Sequence, residues 1–188
     1  MHRVAVFGGS FNPPHVAHVL VATYVLSVFE VDTFLVVPCF VHPFDKPLAS
    51  FEDRLEMCNQ AFGWMPAVKV SVVERELGGQ SRTLRTLRHL ASEHPDWALR
   101  LVVGADIIAE APRWFGFHEI EKLAPPIVLA RLGALDAASS LPKVFPDISS
   151  TQIREAIGAG RLESVRQLIP AAVLHYLLSR GLYASGQT

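Results

Sequence analysis

The chain has few cysteines and almost no net charge, and each absence narrows its class. Only two cysteines, Cys39 and Cys58, occur among 188 residues, and their spacing is not that of metal ligands. We therefore expect reduced thiols rather than a disulfide framework or a cysteine-bound metal, which favours a cytoplasmic protein. The formal net charge is −1, without the basic excess of a protein that coats nucleic acid.

A membrane segment and a dinucleotide fingerprint are also missing. The longest apolar stretch, residues 19–29, includes Thr23, Tyr24 and Ser27 and is too short to span a bilayer. The apolar run that opens the chain ends at Gly8 and is too short for a signal peptide. The motif G-x-G-x-x-G is absent, which argues against a Rossmann oxidoreductase. We expect no membrane partner and no nucleic-acid partner.

Half of the residues are hydrophobic, and they form alternating strand and helix patterns. Strand patterns cover 3–8, 32–38, 67–74, 98–104 and 126–131; helix patterns cover 15–29, 50–62, with Ser50 as N-cap, and 83–93, and a short helix follows Gly104. Such alternation predicts a parallel sheet covered on both faces, a Rossmann-like, doubly wound α/β fold. Helical patterns then give a C-terminal helical piece over 148–188, within a single domain over 1–188.

The first strand passes into the first helix through GGSFNPPHVAH, residues 8–18. Ligands of parallel α/β sheets collect beyond the carboxyl ends of the strands. Gly8 and Gly9 allow close approach of an anion, and a helix start offers free N–H groups. His15 and His18, three residues apart, share a helix face and can point towards one phosphate. The residues alone also allow a plain glycine turn, or a zinc pair that lacks further suitably spaced ligands.

A second stretch, ISSTQIR at residues 148–154, has similar chemistry. Ser149, Ser150 and Thr151 precede a helix whose first turn carries Arg154. Hydroxyls, free N–H groups and a guanidinium suit a polyphosphate. Taken alone, the stretch is better explained as an ordinary helix N-cap with a surface arginine.

Together, the two stretches resemble the signature motifs of the (H/T)-x-G-H nucleotidylyltransferase superfamily. Within it, the chain is similar over essentially its whole length to bacterial nicotinate or nicotinamide mononucleotide adenylyltransferases. Further similar segments follow in the same order: Lys46, ASFEDRLEM (49–57), SRTLRTLRHL (81–90), GADIIAEAPRW (104–114) and LIPAAVLHYLLSRGLY (168–183).

The resemblance implies transfer of an adenylyl group from ATP to a pyridine mononucleotide, with release of pyrophosphate, in NAD biosynthesis. It implies catalytic roles for His15, His18, Lys46 and Arg154. It assigns ATP binding to Gly8, Gly9, Ser10, Phe11, His18, Gly104, Asp106, Ser149, Ser150, Thr151 and Arg154. It assigns mononucleotide binding to Asn12, Lys46, Arg82, Thr83 and Trp114. Mg²⁺ would be bound through the ATP phosphates, with no protein ligands.

Two of these roles have plainer alternatives. Asp106 would accept hydrogen bonds from ribose hydroxyls, but it is also an ordinary carboxylate at a helix start. Trp114 would stack on the pyridine ring, but a tryptophan at this position is also compatible with a place in the core.

The chain departs from the family pattern at several positions. Ala17 replaces the usual glycine, Asp45 precedes Lys46, and Arg82 and Arg85 stand where relatives carry tyrosine and aspartate. Two added cations favour nicotinate, which carries a carboxylate, over nicotinamide.

Two other functions compete with adenylyl transfer to a pyridine mononucleotide. One is a sister adenylyltransferase for another phosphorylated acceptor, such as phosphopantetheine; the segment at 104–114 argues against it. The other is a non-catalytic nucleotide-binding module, against which the intact His15, His18, Lys46 and Arg154 argue. The sequence leaves the oligomeric state open, a homo-oligomer included.

Overall fold

The computed structural model describes residues 1–44, 46–105, 116–129 and 145–184, which are built on a parallel sheet. Its five strands are β1 (His2–Gly9), β2 (Thr33–Pro38), β3 (Val68–Val70), β4 (Trp97–Gly104) and β5 (Pro126–Leu129). They lie in the order β3-β2-β1-β4-β5, and every neighbouring pair is parallel. The order reverses between β1 and β4, so the predicted doubly wound, Rossmann-like sheet is confirmed.

Helices connect the strands and complete the chain. They are α1 (Val16–Val28), α2 (Phe51–Phe62), α3 (Val73–Leu77), α4 (Thr83–Glu93), α5 (Phe117–Leu123), α6 (Ser150–Gly158) and α7 (Ala171–Ser179). The predicted N-cap of α2 is confirmed, because the Asp53 N–H donates to Ser50 Oγ at 3.0 Å. Among the described residues, no helix is both long and apolar enough to cross a membrane.

Two predicted segments differ from the structure. The strand predicted over 67–74 ends at Val70, and α3 begins at Val73. The Val73 N–H donates to Ser71 Oγ at 3.2 Å, so the serine side chain caps a turn that ends the extended run. The helix predicted near residues 162–169 is instead a pair of 3₁₀ turns, Leu162–Ser164 and Arg166–Leu168. Residues 130 and 131 of the last predicted strand, and all but Ala105 of the helix predicted after Gly104, lie outside the described residues.

Two hydrophobic layers cover the faces of the sheet, because successive strand residues point to opposite sides. One layer contains Ala5 and Phe34 and packs against α1, α2, α6 and α7. The other contains Val4 and Leu35 and packs against α3, α4 and α5. The C-terminal helices therefore lie on the same face as α1 and α2, which brings them close to the turn that follows β1.

Candidate active site

A cleft of about 470 Å³ opens at the carboxyl ends of the strands. Gly8 and Gly9 of β1, Gly104 of β4 and Leu129 of β5 line it. It therefore straddles β1 and β4, where the strand order reverses, as expected for a ligand site in an open α/β sheet. Other predicted site residues also line the cleft: Ser10, His15, His18, Lys46, Arg82 and Thr83.

The two predicted histidines meet in the wall of this cleft. His15 is the N-cap of α1, and its ring stacks on the His18 ring with centroids 3.7 Å apart. His18 Nδ1 accepts a hydrogen bond from the His15 backbone N–H at 3.1 Å. In a neutral ring the proton is then on Nε2, which is the nitrogen able to donate to a ligand. The two rings therefore lie side by side at the start of α1, His15 as the N-cap and His18 in the first turn. That they point towards one phosphate stays a prediction.

Gly9 and Phe11 support the histidines from the core side. A Cβ atom on Gly9 would lie 3.1 Å from the Phe11 ring, so glycine leaves room for that ring. Phe11 has a positive φ of 47° and is almost fully buried. Its ring meets the edge of the His18 ring at 5.0 Å between centroids. Phe11 is not among the residues that line the cleft, and its contacts with the core hold the His18 ring in place.

Asn12 joins the turn after β1 to the segment that carries Lys46. Its Oδ1 accepts hydrogen bonds from the Ala49 N–H at 3.0 Å and from Tyr183 Oη at 2.7 Å. Burial raises the pKa of the Tyr183 phenol, which favours the protonated, donating form. Asn12 is 1% exposed and is not among the cleft-lining residues. The structure therefore shows it as a bracing side chain, and its contact with a mononucleotide stays a prediction.

The second motif begins α6 and is bonded directly to the first. Ser149 is the N-cap of α6 and accepts a hydrogen bond from Gln152 N–H at 3.2 Å. Ser150 Oγ donates to the carbonyl of Pro13 at 2.8 Å. Arg154 Nη1 donates to the carbonyl of Asn12 at 2.8 Å, and its Nη2 lies 3.4 Å from Thr151 Oγ1. Ile148, the first residue of this motif, lines the cleft, whereas Ser149, Ser150, Thr151 and Arg154 are not among its lining residues. The bonds to Pro13 and Asn12 nevertheless bring the two motifs together.

Only one of the two unusual arginines reaches the cleft. Arg82, the N-cap of α4, lines it, and its Nη2 lies 3.3 Å from Gln80 Oε1. Arg85 turns away, because its Nη2 donates to the carbonyl of Gly78 at 2.6 Å. Arg85 is absent from the cleft lining.

Comparisons with known proteins agree with this geometry. A cytidylyltransferase-like family model matches residues 6–156. The probable nicotinate-nucleotide adenylyltransferase of Anaeromyxobacter sp. (strain K) is 45% identical over 186 residues, 96% of each chain. That of Myxococcus xanthus is 39% identical, with 99% of this chain and 97% of the relative covered. This chain belongs to the cytidylyltransferase-like family, among its nicotinate-nucleotide adenylyltransferases.

Solved structures show the same fold. A Plasmodium falciparum nicotinic acid mononucleotide adenylyltransferase complexed with NaAD is similar with a TM-score of 0.83 and 20% identity, covering 97% of this chain and 98% of that one. A putative nicotinate-nucleotide adenylyltransferase from Vibrio parahaemolyticus has a TM-score of 0.75 and 23% identity, covering 100% and 98%.

Among the residues not predicted from the sequence are two buried ionisable side chains, Glu74 in the wall of this adenylyltransferase cleft and Arg54 behind it. Glu74 lines the cleft although it is 5% exposed. The Thr86 hydroxyl donates to one of its carboxylate oxygens, and the other, Oε2, is buried without a hydrogen-bond partner in the described part of the chain. Sequence reasoning missed Glu74 because it was assigned to the end of the strand predicted over 67–74, whereas it lies in α3. Arg54 of α2 is 1% exposed. Its spacing from Met57, Cys58 and Ala61 puts a cation on the buried face of a helix, which is a signal that could have found it.

Several predicted features of the family site cannot be placed. Asp106 and Trp114 lie outside the described residues, as does Asp45. Over the ranges that the structure describes, no group of three or more histidine, cysteine, aspartate or glutamate side chains is arranged to hold a metal ion.

Proposed function

We propose that this chain transfers the adenylyl group of ATP to nicotinate mononucleotide and releases pyrophosphate, a step in the formation of NAD. The observation that carries the proposal is the His15–His18 pair, fixed at the carboxyl end of β1 in the wall of the cleft. The names of relatives up to 45% identical support the choice of reaction and acceptor.

The reaction needs charge stabilisation more than proton transfer. An oxygen of the acceptor's 5′-phosphate attacks the α-phosphorus of ATP, a new P–O bond forms, and the bond to the β-phosphate oxygen breaks with its electron pair leaving on pyrophosphate. A phosphate is already ionised at pH 7, so the attack requires no general base. The barrier falls when the reactants are aligned and when negative charge on the transferring group meets fixed donors.

The turn after β1 offers such donors. We assign His18 Nε2 to an oxygen of the α-phosphate, because its Nδ1 is already an acceptor. His15 holds that ring by stacking at 3.7 Å. Lys46 lines the same cleft from an exposed position and adds positive charge over the phosphates. Each fixed donor in such a site is worth about 10²–10³-fold in rate.

The start of α6 suits the β- and γ-phosphates. Arg154 donates to the Asn12 carbonyl through Nη1, and a guanidinium carries five N–H donors in a planar fork. The bond to Asn12 therefore fixes the direction of the fork and leaves donors for an anion. We propose that Thr151 contributes its hydroxyl at the same helix start. Ser150, whose hydroxyl proton is donated to the Pro13 carbonyl, contributes its backbone N–H.

The donor set of the cleft also bears on Mg²⁺. Imidazole, ammonium and guanidinium groups suit phosphate oxygens, whereas Mg²⁺ prefers oxygen ligands and usually keeps several waters. We therefore propose that Mg²⁺ arrives with ATP and is held by phosphate oxygens and water. Asp106 and Trp114 keep their proposed roles at the ribose hydroxyls and the pyridine ring.

An acceptor panel tests the function. The purified chain is mixed with ATP, Mg²⁺ and nicotinate mononucleotide, nicotinamide mononucleotide or phosphopantetheine, and pyrophosphate release and the adenylylated product are both measured. We expect turnover with the pyridine acceptors and none with phosphopantetheine. Turnover with phosphopantetheine alone would indicate the sister enzyme. ATP binding without turnover on any acceptor would indicate the binding module.

A further inference from the structure

One guanidinium gathers four backbone carbonyls behind the cleft. Arg54 Nε donates to Ala49 O at 3.0 Å, and Nη1 donates to Ser10 O at 3.0 Å and Cys39 O at 2.8 Å. Nη2 lies 3.3 Å from Phe40 O. Hydrogen bonds from a charged group of this kind are stronger than those between neutral groups.

These acceptors are not scattered over the fold. Cys39 and Phe40 follow β2 and begin the segment that carries Lys46, and Ala49 lies at its end. Ser10 belongs to the turn after β1 that leads to the histidines, and it lines the cleft, as does Cys39. A single side chain therefore holds both ends of the Lys46 segment against the phosphate turn.

The contact continues to the other wall of the cleft. Arg54 bonds the carbonyl of the Cys39–Phe40 peptide. The N–H of the same peptide, on Phe40, donates to Ser81 Oγ at 2.8 Å. The Ser81 N–H donates to Val41 O at 2.9 Å. Residues 39–41 are thus fixed between Arg54 on one side and the start of α4 on the other.

Burying the Arg54 guanidinium costs free energy of folding, and a contact that only stabilised the fold would not require a charge. Its side chain is 1% exposed, and none of the ion pairs among the described residues includes it. A buried charge without a countercharge is expensive, and an apolar residue of similar volume often serves stability equally well or better. What an apolar residue could not do is hold four carbonyls in fixed positions.

We propose that Arg54 is a positioning residue for adenylyl transfer, which fixes the Lys46 segment against the turn that holds the phosphates. The inference rests on the proposed function, because it acts through Lys46. Arg54 does not touch the substrates. Its removal lets the Lys46 ammonium drift from the transferring phosphate, and a misplacement of about 1 Å costs on the order of 10²-fold in rate.

A double-mutant cycle between Arg54 and Lys46 tests this. Wild type, Arg54→Lys, Lys46→Ala and the double variant are compared by kcat, by KM for each substrate and by thermal midpoint. Arg54→Lys keeps the charge but loses the fork, and we expect kcat to fall about 10²-fold with KM for ATP nearly unchanged. In the double variant, we expect the rate to equal that of Lys46→Ala alone, because nothing remains to be positioned. Effects that multiply would overturn the proposal, as would a wild-type kcat in Arg54→Lys.

Two controls keep the outcome decisive. Arg75 lies over the same Phe51 ring as Arg54, at 5.5 Å from its centroid compared with 5.6 Å, but it is exposed and does not bond the segment. Arg75→Lys should therefore retain wild-type rates. If Arg54→Lys fails to fold, Arg54→Gln replaces it in the cycle; if neither folds, Arg54 serves the fold alone and the proposal is rejected.

The double-mutant cycle can be interpreted independently of the acceptor panel. The acceptor panel first identifies the acceptor that wild type uses, and the cycle is run with that acceptor. Loss of the pyridine assignment would therefore leave the coupling between Arg54 and Lys46 measurable.

Discussion

His18 Nδ1 accepts a hydrogen bond from the backbone N–H of His15 at 3.1 Å, and this bond makes Nε2 the donor nitrogen of the neutral ring. If that donor meets charge that develops on the α-phosphate, His18→Ala should lower kcat by about 10²–10³-fold while KM for ATP changes little. Steady-state kinetics on the folded variant measure both values.

The variant His18→Gln is the matched control for this prediction. A glutamine amide can place an N–H close to the position of Nε2, so part of the lost rate should return. A His18→Ala variant with near-normal turnover would show that the ring only packs against Phe11.

Arg154→Ala should weaken ATP more than the mononucleotide. The guanidinium is fixed by the Asn12 carbonyl at 2.8 Å, and a charge-assisted bond to the β- or γ-phosphate is worth roughly 1.5–3 kcal/mol. We expect KM for ATP to rise by at least about tenfold, with a smaller rise for the mononucleotide. Arg166, whose Nη1 lies 3.3 Å from Glu163 on the same C-terminal piece, is an exposed control. If Arg154→Ala and Arg166→Ala had the same KM for ATP, the start of α6 would be a helix cap without a role in binding ATP.

The fold was predictable because its signals are local and repeated. All six residues of β2 are buried, as the apolar run 34–37 within the predicted strand 32–38 indicates for a strand covered on both faces. Ser50 and the α4 boundaries at Thr83 and Glu93 follow from capping and helical spacing. The strand predicted through residue 74 was wrong, because apolar alternation does not reveal a serine that caps a following turn.

The site was predictable only in part, because sequence reasoning finds residue types and not their directions. The turn after β1 and the start of α6 were found as two separate anion sites, and the bond from Arg154 to Asn12 joins them. Arg82 and Arg85 look alike in sequence, but their contacts differ. The long-range role of Arg54 depends on four carbonyls, which carry no residue-type signal.

Thr86→Val should destabilise the protein through Glu74. The Thr86 hydroxyl donates to a carboxylate that is 5% exposed. Loss of that donor leaves a buried acceptor oxygen without its hydrogen bond, which costs about 1–3 kcal/mol. Denaturant unfolding measures the change. The double variant Thr86→Val/Glu74→Met removes both partners and should recover stability; if it is no more stable than Thr86→Val, the cost lies in packing instead.

Asp53 should make stability depend on pH in the acid range. Burial opposes its ionisation, but hydrogen bonds from Ser50 and Tyr176 and the nearby Arg180 guanidinium outweigh that cost and lower its pKa. A carboxylate with a lowered folded pKa contributes stability that is present above the unfolded value, about 3.9, and is lost as pH falls through the folded value.

The acid-range prediction is checked with Asp53→Asn. Tyr176 Oη donates to Asp53 Oδ1 at 2.9 Å, so the carboxylate joins α2 to α7. We expect the free energy of unfolding of Asp53→Asn to be lower than that of wild type at pH 7, with the difference narrowing as pH falls below about 4. A difference that stays constant over that range would mean that the hydrogen-bond geometry, and not the charge, stabilises the contact.

Arg82 should set the preference for nicotinate over nicotinamide mononucleotide. The two acceptors differ by a carboxylate on the ring, and Arg82 is a cation that lines the cleft at the start of α4. We expect wild type to prefer nicotinate mononucleotide and Arg82→Ala to show a preference about tenfold smaller. The effect is modest because an exposed arginine contributes less binding free energy to an ion pair than a buried one. The measured quantity is the ratio of kcat/KM for the two acceptors.

Arg85→Ala is the matched control, because Arg85 donates to Gly78 and does not line the cleft, so it should leave the ratio unchanged. Equal use of both acceptors by wild type, or the same ratio in Arg82→Ala, would contradict a role for this charge in choosing the acceptor.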